Sequence, residues 1–174
     1  MGLTFLAVVA LSACQGSSRK SQPPPDMTGQ ESLNVKGLAG DGDTLKLADL
    51  DGCLKILFFN QMDCQFCREL NPKLMDLMKS YSTDSTQPVV TYAYTAGSDT
   101  TGWQHYLKEL GAQPPFYTAL RMNQEKTYIN FYHVKRTPTV YLIDDKGTII
   151  SPPMQSYDSI AVRTAKYLEA KKGC

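Results

Sequence analysis

Residues 54–81 read LKILFFNQMDCQFCRELNPKLMDLMKSY. The opening LKILFF, 54–59, is an apolar run whose length and flanks predict a buried central strand. Residues 60–63 form a loop into Cys64. Beyond it, Phe66, Leu70, Leu74, Leu77 and Met78 recur at helical spacing, which predicts a helix over 65–81. Pro72 falls inside that helix and is expected to kink it. Cys64 and Cys67 therefore stand where a buried strand passes into a helix.

Toward the C-terminus, 89–95 is rich in β-formers and predicts a strand. Residues 102–110 and 116–123 read as short helices, split by Gly111 and Pro114-Pro115. Residues 139–143 and 148–150, joined by Asp144-Asp145-Lys146-Gly147, read as a β-hairpin. Residues 156–172 predict a closing helix with Ile160, Ala161, Thr164, Tyr167 and Leu168 on one face. Toward the N-terminus, 32–35 and 44–47 read as short strands around the turn Gly40-Asp41-Gly42-Asp43. The order is strand, C-x-x-C, helix, strand, helices, strand-turn-strand, helix.

At these residues the chain resembles the thioredoxin superfamily, over 32–174. Cys64-Gln65-Phe66-Cys67 lies between strand and helix. Pro72 stands where thioredoxins kink the helix. Thr137-Pro138 opens the hairpin like the family's cis-proline. VKRTPTVYLIDDKGTII at 134–150 and GDTLKLADLDG at 42–52 look like the TlpA/ResA-type extracytoplasmic branch. The resemblance implies an α/β fold with a central mixed sheet flanked by helices, an N-terminal β extension and a helical insert. It implies thiol–disulfide exchange, with no cofactor beyond the two cysteines.

That chemistry needs a thiolate to attack and a second thiol to resolve the mixed disulfide. At a helix N-terminus, unpaired N–H groups and the helix dipole favour the Cys64 anion. Cys64 is thus expected to be the exposed nucleophile and Cys67, one turn in, the shielded resolving thiol. The resemblance makes Thr137 and Pro138 a substrate-pairing edge, with Gln65 and Phe66 beside it. Gln65-Phe66 replaces the Gly-Pro of thioredoxins. Asp63 would oppose the thiolate, and Arg68 would favour it if turned toward the site. Thioredoxins also carry a Trp before the first Cys and a buried Asp six residues before it. Here those positions hold Asp63 and Phe58, so the buried proton acceptor is missing or comes from elsewhere. The insert, 95–137, offers Glu109 and Glu125. Its aromatics, from Trp103 to Tyr132, read either as packing for extra helices or as a substrate surface near Thr137.

The first residues read as an address. LTFLAVVALSA at 3–13 is too short to span a bilayer and fits a signal peptide, 1–13. Only Met1-Gly2 precede it, where a basic residue is usual; an upstream start codon would supply one. Leu11-Ser12-Ala13-Cys14 looks like a bacterial lipobox, which implies lipidation of Cys14. QGSSRKSQPPPDM at 15–27 has no apolar periodicity and three consecutive prolines, so 14–31 reads as a solvated tether. The expected location is the cell envelope, lipid-anchored and facing the periplasm. Gln15, by the enteric sorting rule, favours the outer membrane.

Five cysteines are present, and removing an acylated Cys14 leaves an even number for an oxidising compartment. In a thioredoxin-like fold the closing helix returns Cys174 toward Cys53. A structural Cys53–Cys174 bridge is one reading, and two unpaired thiols the other.

A net charge of +1 over 174 residues gives no electrostatic case for nucleic acid. A structural zinc site wants four ligands, and His105 and His133 lack matching spacing, so no metal is expected. A peroxiredoxin would want Thr at the place of Gln61. The expected partners are envelope protein thiols and disulfides, apocytochrome among them. A reductant would also need a membrane electron donor. Without a dimerisation module the chain is expected to be monomeric, which disfavours an isomerase. The non-enzymatic alternative is a lipoprotein using this fold as a binding module around a structural disulfide.

Overall fold

The computed structural model describes residues 23–83, 86–97, 99–121 and 126–171. In chain order the elements are β1 (Lys36–Leu38), β2 (Thr44–Lys46), a 3-10 turn (Leu47–Asp49), β3 (Leu54–Gln61), α1 (Gln65–Tyr81), β4 (Val89–Ala96), α2 (Thr100–Leu110), β5 (Phe116–Leu120), α3 (Thr127–Phe131), β6 (Thr139–Asp144) and α4 (Tyr157–Ala170). They build a mixed six-stranded sheet in the order β2-β1-β5-β4-β3-β6. β3, β4 and β5 run parallel, while β6 is antiparallel to β3 and β1 to β5.

β3 lies between β4 and β6 and is apolar on both faces, as its run of hydrophobic residues requires. Its alternate residues feed two cores. Leu54, Ile56 and Phe58 pack with Leu70, Leu74 and Leu77 of α1 and Ile160 of α4. Leu57 and Phe59 point the other way, into Tyr92, Tyr94, Tyr132 and Tyr141. α1 buries Cys67, Leu70, Asn71, Leu74, Leu77 and Met78, the stripe expected of a half-buried helix. Pro72 sits inside it and has no N–H to return to the Arg68 carbonyl. Ser156 caps α4 by accepting the Ser159 amide.

Three expectations are corrected. The segment expected to open a helix over 116–123 is extended where it is described: Phe116–Leu120 is strand β5, hydrogen-bonded alongside β4, and 122–123 lie outside the described residues. FYTAL is dominated by β-formers, and the open edge of β4 supplies the ladder that a short segment cannot make alone. The first strand is Lys36–Leu38 rather than 32–35. Residues 29–32 bond instead to the arm after β6: Gly29 N–H donates to Ile149, Ile149 to Gln30, and Ser32 to Gly147. That arm, 148–150, is accordingly held by isolated bridges to Glu31 and Ile143 rather than by a full hairpin ladder. Its turn is as expected, with Gly147 at φ +83° and Asp144 Oδ1 accepting the amides of Lys146 and Thr148. The pairing also starts the packed chain ahead of Ser32, since Met27 is buried.

The insert is built from α2, β5 and α3. Trp103 and Tyr106 of α2 are buried with Leu120, and Phe116 and Tyr132 are buried too. Most of its aromatics are therefore core.

Candidate redox site

The site forms where β3 hands over to α1. Met62 N–H donates to Ala96 and Cys64 N–H to Gln61, which turns the chain sharply after the strand. Cys64 is the N-cap residue of α1, and its Sγ accepts the Cys67 amide at 3.2 Å. Cys64 and Cys67 are joined as a disulfide with Cα atoms 5.2 Å apart. Cys67 is wholly buried, whereas Cys64 is half-buried rather than fully exposed. The two cysteines thus differ in exposure, Cys64 being partly exposed and Cys67 shielded.

The loop before β6 closes over Cys64. Thr137-Pro138 is a cis peptide, and the Thr137 carbonyl lies 3.7 Å from Cys64 Sγ. Pro138 is buried and Thr137 half-buried. Thr139 Oγ1 donates to the Arg136 carbonyl at 2.7 Å and fixes the turn. The ladder of β3 with β6 ends at Phe59 and Thr139, so the Thr137 backbone lies beyond it. Phe66, the second residue of α1, is 70% exposed. Gln65 is exposed as well and donates to Glu69 along the helix. Cys64, Cys67, Thr137 and Pro138 are thus brought together.

Arg68 is turned to other partners. Its Nε donates to the Met62 carbonyl at 3.1 Å and its guanidinium pairs with Glu109, which also receives His105. Glu109 is half-exposed and held in that cluster, not placed as a buried acid. Glu125 lies outside the described residues, as do Cys14 and Cys174. Phe58 is fully buried where thioredoxins carry Asp.

The polar groups behind the site are neutral, and sequence reading missed them. Asn60 Nδ2 donates to the Tyr106 hydroxyl at 2.6 Å and to Thr95 at 3.2 Å, and Asn71 Nδ2 reaches the same hydroxyl at 3.0 Å. Burial pushes the Tyr106 phenol above its ordinary range. Asn71, four residues past Cys67 on the buried face of α1, was the available signal. A polar residue at that helical phase must find partners inside.

At the other end of β3, the Tyr167 hydroxyl of α4 donates to the Cys53 carbonyl at 3.2 Å. The last turns of the closing helix therefore lie beside Cys53.

Solved structures share this fold at low sequence identity. The chain is similar to the thioredoxin domain of a thiol-disulfide oxidoreductase from Bacteroides vulgatus, with 18% identity and a TM-score of 0.70, covering 80% of this chain and 96% of that one. It is similar to a thiol:disulfide interchange protein from Bacteroides sp., with 18% identity and a TM-score of 0.70, covering 84% and 93%. It also resembles a secreted Mycobacterium tuberculosis disulfide oxidoreductase homologous to E. coli DsbE, with 18% identity and a TM-score of 0.59, covering 76% and 96%. No curated protein matches the chain. The family model of the thioredoxin-like domain matches residues 42–169. Its sheet, its Cys64–Cys67 pair and this match agree: the chain belongs to the thioredoxin-like family.

Proposed function

We infer that this protein is a thiol–disulfide oxidoreductase of the bacterial cell envelope, reducing disulfides of exported proteins. The observation that carries the reading is the asymmetric cysteine pair under the cis-proline loop. Cys64 is half-exposed at the start of α1, Cys67 is buried, and the Thr137 carbonyl is 3.7 Å from the outer sulfur. In the reduced protein, the Cys64 thiolate attacks one sulfur of a substrate disulfide. That S–S bond breaks, the other substrate sulfur leaves as thiolate, and a mixed disulfide forms. The Cys67 thiolate then attacks Cys64 Sγ, releases the second substrate thiolate and closes the Cys64–Cys67 bond. Two electrons pass to the substrate, and a dithiol donor at the membrane restores the protein.

The helix N-terminus supports the thiolate, and the Cys67 amide already points at Cys64 Sγ. The envelope assignment draws on Leu11-Ser12-Ala13-Cys14, with Cys14 as the lipid site and the domain facing the periplasm. The TlpA/ResA-like segments make apocytochrome a candidate substrate. We keep Cys53–Cys174 as a structural bridge, a pairing supported by the Tyr167–Cys53 contact. Intact mass and peptide mapping without reductant test it, and Cys53 alkylated in the unreduced protein would end it.

The test of the function is a redox titration. The protein is equilibrated in glutathione and dithiothreitol buffers, and the Cys64–Cys67 couple is read by alkylation and mass. A reversible couple at about −270 mV, the thioredoxin value, supports a reductant. A value near −120 mV would make it an oxidant of exported thiols. Cysteines that cycle only on unfolding would leave the disulfide structural and the fold a binding module.

A further inference from the structure

Two hollows flank the cis-proline loop. One, of about 190 Å³, opens at the C-terminal ends of β3 and β4 and is lined by Arg121 together with 135–137. The other, of about 710 Å³, runs between the loop and the start of α4, past His133, Lys135, Arg136 and Arg163. Lys135 and Arg136 line both. His133, Lys135, Arg136 and Arg163 are exposed. Among the described residues no Asp or Glu lines either hollow, and no carboxylate forms an ion pair with Arg121 or Arg136. Asp26 is within electrostatic reach of Arg163 and offsets part of its charge, while accepting the amide and hydroxyl of Thr28; Arg121 and Arg136 have no such counter-charge among the ion pairs of the described residues.

A chain with a formal net charge of +1 has thus gathered cations around one loop, the loop that touches the reactive sulfur. Like charges that line a shared hollow repel, and a ligand of opposite charge relieves the repulsion. Next to Cys64 in the helix, the uncharged ring of Phe66 is exposed. An extended chain laid along Thr137 would therefore have its cysteine at Cys64, with the cationic hollows beside the loop to hold its neighbouring side chains.

We propose that the partner is an extended cysteine-containing polypeptide with acidic side chains flanking its cysteine, held by Arg121, Arg136 and Arg163. This rests on the oxidoreductase reading and adds the substrate class to it. A grooved surface wrapped around a backbone edge suits a peptide better than the flat headgroup layer of a membrane, the other anionic surface an envelope protein meets.

The test uses the full chain, reduced beforehand, and three peptide disulfides that differ only in having Glu, Ser or Lys beside the cysteine. Single-turnover rates are read by acid quench and alkylation, each divided by the rate of the same peptide with dithiothreitol. The acidic peptide is expected to react roughly tenfold faster than the basic one at low salt, with the ratio falling toward one as salt rises. R136E, and R136E with R163E, are expected to shrink or invert the ratio. Equal normalised rates in the unaltered protein, or a ratio untouched by both variants, would overturn the proposal. So would equal rates combined with R136E-sensitive binding to phosphatidylglycerol vesicles, which would assign the charges to a lipid surface. Inertness toward all three peptides and toward small disulfides is a different result: it would remove the redox reading, and this inference with it.

Discussion

The two faces of the sheet are made of different materials. On the α1 and α4 face, Leu54, Ile56, Leu70, Leu74 and Ile160 form an aliphatic core that ends at Cys67. On the opposite face, Phe59 meets Tyr94, Tyr132 and Tyr141 at ring-centroid separations of 5.1 to 6.4 Å. Three tyrosines of this face also bond outward. Tyr92 donates to the Leu45 carbonyl at 2.9 Å, Tyr132 to Leu33 at 3.2 Å and Tyr128 to Asn34 at 3.3 Å. The aliphatic face is held by non-directional burial. The tyrosine face adds directional bonds that pin the N-terminal extension across the sheet. One face positions chemistry, and the other fastens the chain that leads to it.

The sharpest way to break this division is at the sulfur. Cys64→Ser is expected to abolish disulfide exchange, while Tyr132→Phe leaves the reduced protein's exchange rate intact. An insulin-reduction assay compares them, and equal losses would erase the distinction. Next comes the core under the site. Leu74→Ala is expected to cost about 2–5 kcal/mol of stability in urea unfolding, because a fully buried side chain leaves a cavity.

A third test separates the faces by pH. Burial pushes the Tyr141 phenol up to about 12, and Tyr92 and Tyr132 are likewise raised by burial. A phenol raised in the folded state stabilises fully below the unfolded value of about 10, and that contribution is lost as pH climbs toward the folded value. Stability should therefore fall between about pH 10 and 12, with a shallower fall in Tyr141→Phe. Thermal melts across that window check it, and parallel slopes for both proteins would remove Tyr141 from the account. The smallest effect is Tyr132→Phe itself, about 1 kcal/mol for one hydroxyl bond. It should appear as faster amide exchange in the segment around Ser32 before any change in α1.

The aliphatic face was also the legible one. Residues 54–59 and the stripe Leu70, Leu74, Leu77 and Met78 carry their periods openly, and the helix runs from Gln65 to Tyr81 as expected; Phe66, which shares that spacing, is exposed at the first turn instead. The cysteine pair and cis-Pro138 follow from local motifs. The tyrosine face was harder to read because its order comes from long-range pairing. FYTAL becomes β5 only because β4 offers an edge, and 29–32 extend only because the arm after Gly147 takes their hydrogen bonds. The Asn60–Tyr106–Asn71 cluster was hidden for the same reason: its members lie far apart along the chain and meet only when α2 docks.

The burial of Met27 sets a length. Among the described residues Met27 is the first buried side chain, and thirteen Cα-to-Cα steps lead to it from Cys14. Fully extended, at about 3.3–3.6 Å per residue, they reach roughly 45 Å. With a lipid on Cys14, as proposed, the domain would be confined to a shell about that deep above its bilayer. Client proteins free in solution would have to drift into that shell, whereas those anchored in the same membrane would already be in range. The tether would then sort clients by their height above the membrane, before any contact between side chains.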